Sequence, residues 1–223
     1  MSENNLIRPN WPAPPQIEAY TGKKELVEQY ISFPSEPIWL RQVHGNEVVE
    51  ATLENREKEA DALYTKKTNH VCVVDTADCV PILICHPKAT LVAAIHAGWR
   101  GLAKGVIETT LSALNVDNKE LLAWIGPCIS QKHYEVGDEV KAAFLAHNPD
   151  AEKAFIPSSN GRWLADLSEM ARINLKKQGV TEIFGGEYCT YSDPERFYSY
   201  RRDGSSQKRR IGTFIWIKDR INK

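Results

Sequence analysis

Short runs rich in β-branched and aromatic residues recur along this chain, at 38–43, 47–51, 70–75, 81–85, 90–95, 121–125, 197–200 and 212–217. Bounded by Gly, Pro, Asn or Asp, they predict strands. Three segments carry a helical period instead. Leu102, Val106, Thr110 and Leu114 recur every four residues after Gly101, and Val136, Val140, Phe144 and Leu145 mark a second apolar stripe. In the third, Asp166 and Glu169 form a capping pair, Leu167, Met170, Ala171 and Leu175 make the buried face, and Gly179 ends the helix. The order is mixed α/β, without strict βαβ alternation and without a dinucleotide-binding glycine fingerprint. The prolines of Asn10-Trp-Pro-Ala-Pro-Pro15 remove amide donors and restrict their neighbours, so this segment is expected as an extended arm over the body.

Composition narrows the picture. A chain of 223 residues that is 42% hydrophobic buries a substantial core and reads most simply as one domain, 1–223, with no repeat or linker to divide it. Its 28 basic and 29 acidic side chains nearly cancel, which argues against nucleic acid or a membrane surface as partner and for a small molecule. No stretch approaches the roughly 20 apolar residues of a membrane helix. The polar, proline-rich start does not read as a secretion signal, so a cytoplasmic location is expected. Five cysteines, an odd number, read as reduced thiols without disulfides.

Candidate chemistry centres on three residues: His44 in Arg41-Gln-Val-His-Gly45, Cys79 in Thr76-Ala-Asp-Cys-Val-Pro81, and His96 in His96-Ala-Gly-Trp-Arg-Gly101. Two imidazoles and a thiolate suit a catalytic zinc that keeps its fourth position for water or substrate. Intervals of 35 and 17 residues are too long for a zinc-finger clip, so any such site must be assembled by the tertiary fold. A turn histidine at 44 and an inert buried thiol are the competing readings; the latter fits Cys72 and Cys85 better, since both sit in the middle of apolar runs. Without metal, Cys79 and His96 would form a nucleophile and base pair.

Around this set, Gln42 shares the His44 face and is a candidate for orienting substrate or a ligand. Asp78 and Asp61 are candidate acid or base groups, or carboxylates that hold a histidine tautomer. Arg100 stands beside the helix start after His96, where amides and a guanidinium suit an anion, with a partnerless surface arginine as the alternative. Near the C-terminus Tyr198, Tyr200, Arg201 and Arg202 combine aromatic faces with guanidinium groups suited to a purine and a phosphate, and either Arg201 or Arg202 is expected at the site. Lys208-Arg-Arg210 reads as a solvated loop.

These segments, with Ala60-Asp-Ala62, Ile125-Gly-Pro127, Phe184-Gly-Gly186, Cys189-Thr-Tyr191 and Phe197-Tyr-Ser-Tyr-Arg-Arg-Asp203, resemble the YfiH/laccase-domain family, also called the multicopper polyphenol oxidase or purine nucleoside phosphorylase family. The matches run in family order from about residue 38 to the C-terminus. The resemblance implies a layered α/β fold of mixed β-sheets flanked by helices, similar to the catalytic domain of cytotoxic necrotizing factor toxins. It also implies zinc ligation by His44, Cys79 and His96, with copper possible. The implied activity is phosphorolysis of adenosine, inosine and methylthioadenosine with adenosine deamination at the same site, and hence purine nucleosides and phosphate as partners.

Three other classes compete. A copper laccase would need on the order of ten histidines for its four coppers, and the chain has six. A cysteine hydrolase or amidase would use Cys79 and His96 without metal. A metal-stabilised binding protein would use the three ligands for structure alone.

Overall fold

The computed structural model describes residues 6–204 and 209–219. In chain order, the first half contains β1 (Ile17–Lys23), α1 (Lys24–Tyr30), β2 (Val48–Glu50), β3 (Ala62–Thr65), β4 (Cys72–Thr76), β5 (Val80–Cys85) and β6 (Val92–Ala97). The second half contains α2 (Trp99–Ala103), α3 (Val106–Leu114), β7 (Leu122–Ile125), β8 (Glu135–Val136), α4 (Asp138–His147), β9 (Phe155–Pro157), β10 (Trp163–Ala165), α5 (Leu167–Lys177), β11 (Glu182–Gly185), α6 (Tyr200–Asp203) and β12 (Ile211–Ile217).

A six-stranded mixed sheet, ordered β11-β7-β5-β6-β3-β2, forms the centre. Its β5–β6 pair is antiparallel, with Pro81 opposite His96 and Ile82 opposite Ile95. One face, carrying Ile82, Ile84, Ala93 and Ile95, packs against Leu102, Ile107, Phe144 and Met170 of the helices. The other, carrying Leu63, Leu83, Ala94 and Trp124, packs against a three-stranded antiparallel sheet ordered β1-β12-β4, through Val74 and Ile215. The far side of that second sheet is covered in turn by Val27 of α1 and by Phe33 and Trp39, which meet Phe214 and Trp216. The result is a mixed α/β layering with sheets flanked by helices. Residues on both faces of β5 and β6 are fully buried, and that is why these strands read as continuous apolar runs rather than alternating ones.

Six of the eight expected strands are present, at β2, β4, β5, β6, β7 and β12. Two are not. Segment 38–43 makes isolated bridges from Ile38 to Cys72 and from Arg41 to Glu59. There the Gln42 side chain, not the backbone, takes the Asp75 amide and carbonyl, each at 2.7 Å. Segment 197–200 is a loop that enters α6, because the Ser199 side chain caps the Arg202 amide. The apolar stripe of 102–114 is two helices, broken at Gly105, whose φ of 83° is open to glycine at little cost. The Asp166 cap on the Glu169 amide and the ending at Gly179, φ 93°, are as expected. Strands β1, β3 and β8 to β11 escaped the pattern, being very short or interrupted by polar residues such as Glu18 and Thr21. Trp11 and Ala13 of the N-terminal arm pack on the inter-sheet core, and Asn10 accepts a hydrogen bond from Trp124 Nε1 at 3.2 Å.

Candidate metal and active site

The three sequence-selected ligands converge. One donor atom from each of His44, Cys79 and His96 lies within 4.8 Å of the others, the one such group of three among the described residues. Cys79 Sγ is 3.8 Å from His44 Nε2, and the two imidazoles meet edge to face with centroids 4.8 Å apart. His96 lies on β6; Cys79 immediately precedes β5, so the antiparallel pairing of these strands sets their separation. His44 comes from a loop at φ 58°, a left-handed conformation uncommon for a non-glycine residue.

Asp61 explains how that loop is held. Its carboxylate accepts hydrogen bonds from the amides of Val43, His44 and Gly45 at 3.2, 2.9 and 2.6 Å, and from His96 Nδ1 at 2.7 Å. Fixing Nδ1 in this way leaves His96 Nε2 for a ligand, as is usual for metal-bound imidazoles. Burial pushes the Asp61 carboxyl up, but His96 and the amides outweigh it and hold it below the usual range. Burial likewise opposes ionisation of Cys79, yet the charge of His96 and the hydrogen bond with His44 bring the thiol down to about 6. The same partners, Cys79 and Asp61, overcome burial at His96 and raise it to about 9. A deprotonated sulfur beside two histidines, one oriented by a buried carboxylate, is chemically suited to a divalent zinc or copper ion.

Gly98 makes the convergence possible. A Cβ there would stand 2.9 Å from His44 Cδ2 and 3.0 Å from Cys79 Sγ. At Gly101 the crowding is with backbone: a Cβ would lie 2.9 Å from the Gly45 carbonyl oxygen, so helix α2 and the His44 loop touch directly.

The three side chains open onto a cavity of about 640 Å³ whose walls include Gln42, Asp75, Trp99, Arg100, Tyr134 and Arg201. Arg100 is exposed and stacks over the Trp99 ring at 4.4 Å. Arg201 lies 5.2 Å from the Tyr134 ring centroid and donates to the carbonyls of His133 and Glu135. Arg202 is differently placed. Its guanidinium donates to the carbonyls of Thr190, Tyr191 and Phe197 and pairs with Asp203, tying the C-terminal loops together outside this cavity.

Asp78 touches the cavity, but both carboxylate oxygens are engaged. Oδ1 accepts from Thr190 Oγ1 at 2.6 Å, and Oδ2 from Ser199 Oγ at 3.0 Å and the Arg201 amide at 2.7 Å. Its φ of 90° is strained for aspartate, and these bonds hold the turn that presents Cys79. Cys72, Cys85, Cys128 and Cys189 are free thiols, as is Cys79; burial pushes Cys85 up to about 12 and Cys72 and Cys128 upward as well.

Cavity residues not singled out from sequence include Asp75, Trp99, Tyr134 and Arg210. Arg210 belongs to the run read as solvated loop, of which Lys208 lies outside the described residues. The available signal was position alone, Asp75 near the end of a strand four residues before Cys79.

A sequence profile described as multi-copper polyphenol oxidoreductase laccase matches residues 17–218. The chain belongs to this YfiH/laccase-domain family. Within the family, it is 41% identical to a purine nucleoside phosphorylase of Pseudomonas aeruginosa, over 97% of this chain and 100% of that one. It is 46% identical to the purine nucleoside phosphorylase YfiH of Escherichia coli, over 83% of this chain and 76% of that one. Among solved structures of the family's kind, a Neisseria meningitidis protein superposes with a TM-score of 0.89 at 35% identity, over 96% of this chain and all of that one. No helix among the described residues is long and apolar enough to cross a membrane.

Proposed function

We propose that this protein is a zinc-dependent purine nucleoside phosphorylase acting on adenosine, inosine and methylthioadenosine, with adenosine deaminase activity at the same site. The observation that carries the reading is the convergence of His44, Cys79 and His96 on the wall of a cavity that also presents Arg100 and Arg201. The names of the family relatives supply the substrate class.

Phosphorolysis needs a held phosphate and stabilisation of charge as the purine leaves an oxocarbenium-like ribose. Arg100 and Arg201 bring positive charge to the cavity for phosphate, and Gln42, locked to Asp75 through its amide, presents a fixed polar edge to substrate. Trp99, Tyr134 and Tyr200 provide aromatic faces for a purine. Zinc held by the two histidines and Cys79 supplies Lewis-acid activation of water, the chemistry that deamination requires. Copper accepts the same ligands, and a polyphenol oxidase activity of the single site is the corresponding alternative. The location proposed is the cytoplasm, and the whole chain acts as one domain.

A second reading has its own observation. Cys79, His96 and Asp61 stand as nucleophile, base and orienting carboxylate, with the His96–Asp61 bond at 2.7 Å and the thiol lowered to about 6. That is the arrangement of a cysteine hydrolase.

Adenosine turnover with and without inorganic phosphate, with chromatography of products and metal analysis of the same sample, separates the readings. Phosphate-dependent adenine together with stoichiometric zinc supports the phosphorylase, and phosphate-independent inosine supports deamination. Inert purine nucleosides, with an esterase or amidase activity that survives chelation but not thiol alkylation, would move the assignment to the hydrolase.

A further inference from the structure

Phosphorolysis leaves one need unmet by the groups named so far. When the C1′–N9 bond of a purine nucleoside breaks, its electron pair passes into the base, which departs as a neutral purine only if a ring nitrogen takes a proton. Asp78, the carboxylate next to Cys79, is saturated by Thr190, Ser199 and the Arg201 amide. Asp61 is saturated by three amides and His96.

Asp75 is built differently. It lies on the cavity wall, in β4 one residue before its end, with its backbone amide and carbonyl clamped by the Gln42 side chain, so its place is fixed without use of the carboxyl group. Carboxyl Oδ1 is buried and has no hydrogen-bond partner among the described residues. Oδ2 faces Lys24 Nζ at 3.8 Å. A buried, unpartnered carboxylate oxygen is costly when charged, and less so when it carries a proton that a ligand can accept. Burial indeed holds this carboxyl above its usual range, against Lys24, Arg210 and His96 and with the help of Glu28. An unsatisfied carboxyl oxygen on a cavity wall is what a hydrogen-bonding nucleobase edge would complete.

We propose that Asp75 is the general acid of the site, donating the proton of its carboxyl group to N7 of the purine as the glycosidic bond breaks. The assignment rests on the phosphorylase reading. A phosphate oxygen forms the new bond to C1′, the C1′–N9 pair enters the base, and the Asp75 proton moves to N7. The proton that hydrogen phosphate loses on forming the ester returns to Asp75 through water. Neutral purine and ribose 1-phosphate leave, and nothing is oxidised or reduced.

The test compares adenosine with N7-methyladenosine, whose base already carries the charge that protonation would confer and needs no acid. Release of free base is followed by chromatography. For Asp75→Asn, kcat on adenosine is expected to fall by about 10²- to 10⁴-fold, the usual worth of a general acid, while N7-methyladenosine is still cleaved. Equal loss on both substrates, or unchanged adenosine turnover, overturns the assignment. Should the variant not fold, the wild-type protein decides: the adenosine to N7-methyladenosine rate ratio must fall as pH rises and the acid ionises, and a ratio flat with pH overturns the proposal. A wild-type protein that cleaves neither nucleoside removes the phosphorylase reading and this assignment with it, whereas an active wild type with an unaffected variant removes the assignment alone.

Discussion

Asp61 and His96 are joined twice. The carboxylate lies 2.7 Å from the imidazole Nδ1, and the Asp61 carbonyl accepts the His96 amide at 2.7 Å. Since the same carboxylate gathers the amides of the His44 loop, one buried side chain orients two histidines of the cluster.

Asp61→Asn is therefore expected to weaken zinc binding about 10- to 100-fold, the usual cost of losing a partner behind a ligating histidine. It should also lower stability by about 3 kcal/mol, because a buried network loses its charge. Chelator competition and denaturant unfolding read the two effects, and wild-type zinc affinity in this variant would refute the role given to Asp61.

Cys79→Ala should remove turnover and metal while leaving the chain folded, since the sulfur sits at the cavity wall and contributes little to the cores. Circular dichroism with metal analysis checks this. Loss of the folded signal would indicate instead that the ligands serve structure.

Thiol reactivity of the metal-free protein should follow the lowered ionisation of Cys79. Its thiolate fraction is expected to be near complete at neutral pH and to fall as pH drops through about 6, whereas an ordinary thiol ionises only near ~8.5. Cys72, Cys85 and Cys128, pushed upward by burial, should stay unmodified over this range. Cys189 is also lowered, by hydrogen bonds with Ser130 and Ser192 that outweigh its burial, so alkylation must be resolved residue by residue by mass spectrometry. Metal should protect Cys79 and leave Cys189 unaffected.

Gly98→Ala places a methyl group 2.9 Å from His44 Cδ2 and 3.0 Å from Cys79 Sγ, so these side chains must shift. The backbone φ of −70° suits alanine, so the fold should persist while zinc occupancy and turnover fall at least about tenfold, the lower bound for a disturbed ligand shell. Full occupancy would mean that the ligands move apart freely.

The two neighbouring arginines should separate by phenotype. Arg202→Ala strips donors from three carbonyls and is expected to cost about 1–3 kcal/mol of stability. Arg201→Ala should chiefly raise the KM for phosphate. Steady-state kinetics and thermal unfolding distinguish them, and the reverse pattern would refute this division.

The sequence disclosed the cluster of His44, Cys79 and His96 because each sits in a short segment whose neighbours are themselves distinctive, and because β5, which Cys79 immediately precedes, and β6, which bears His96, are local hairpin partners. It did not disclose Asp75 or Arg210, since their arrival at the cavity depends on a pairing between distant segments. Antiparallel β4–β12 sets Gly212 opposite Asp75 and Ile211 opposite Thr76, which delivers Arg210 to the same wall. A charged run in the sequence gives no hint of that. Arg202 shows the converse: an arginine within a family-like segment suggested phosphate, but its guanidinium is consumed by carbonyls that only the folded loops bring near. Helix α2 and helix α3 merged in the periodicity because the break at Gly105 preserves the four-residue spacing of apolar side chains.

The pairing of β5 with β6 divides the site into unequal halves. Cys79 and His96 are anchored to a hairpin covered on both faces, where any displacement would disturb two packed layers at once. His44 sits on a loop outside the sheet, held by the Asp61 carboxylate, by Gln42 against Asp75 and by the contact of Gly45 with Gly101. An ion entering the cluster would be accommodated from the His44 side, with the sulfur and the second imidazole acting as the fixed jaw of a clamp.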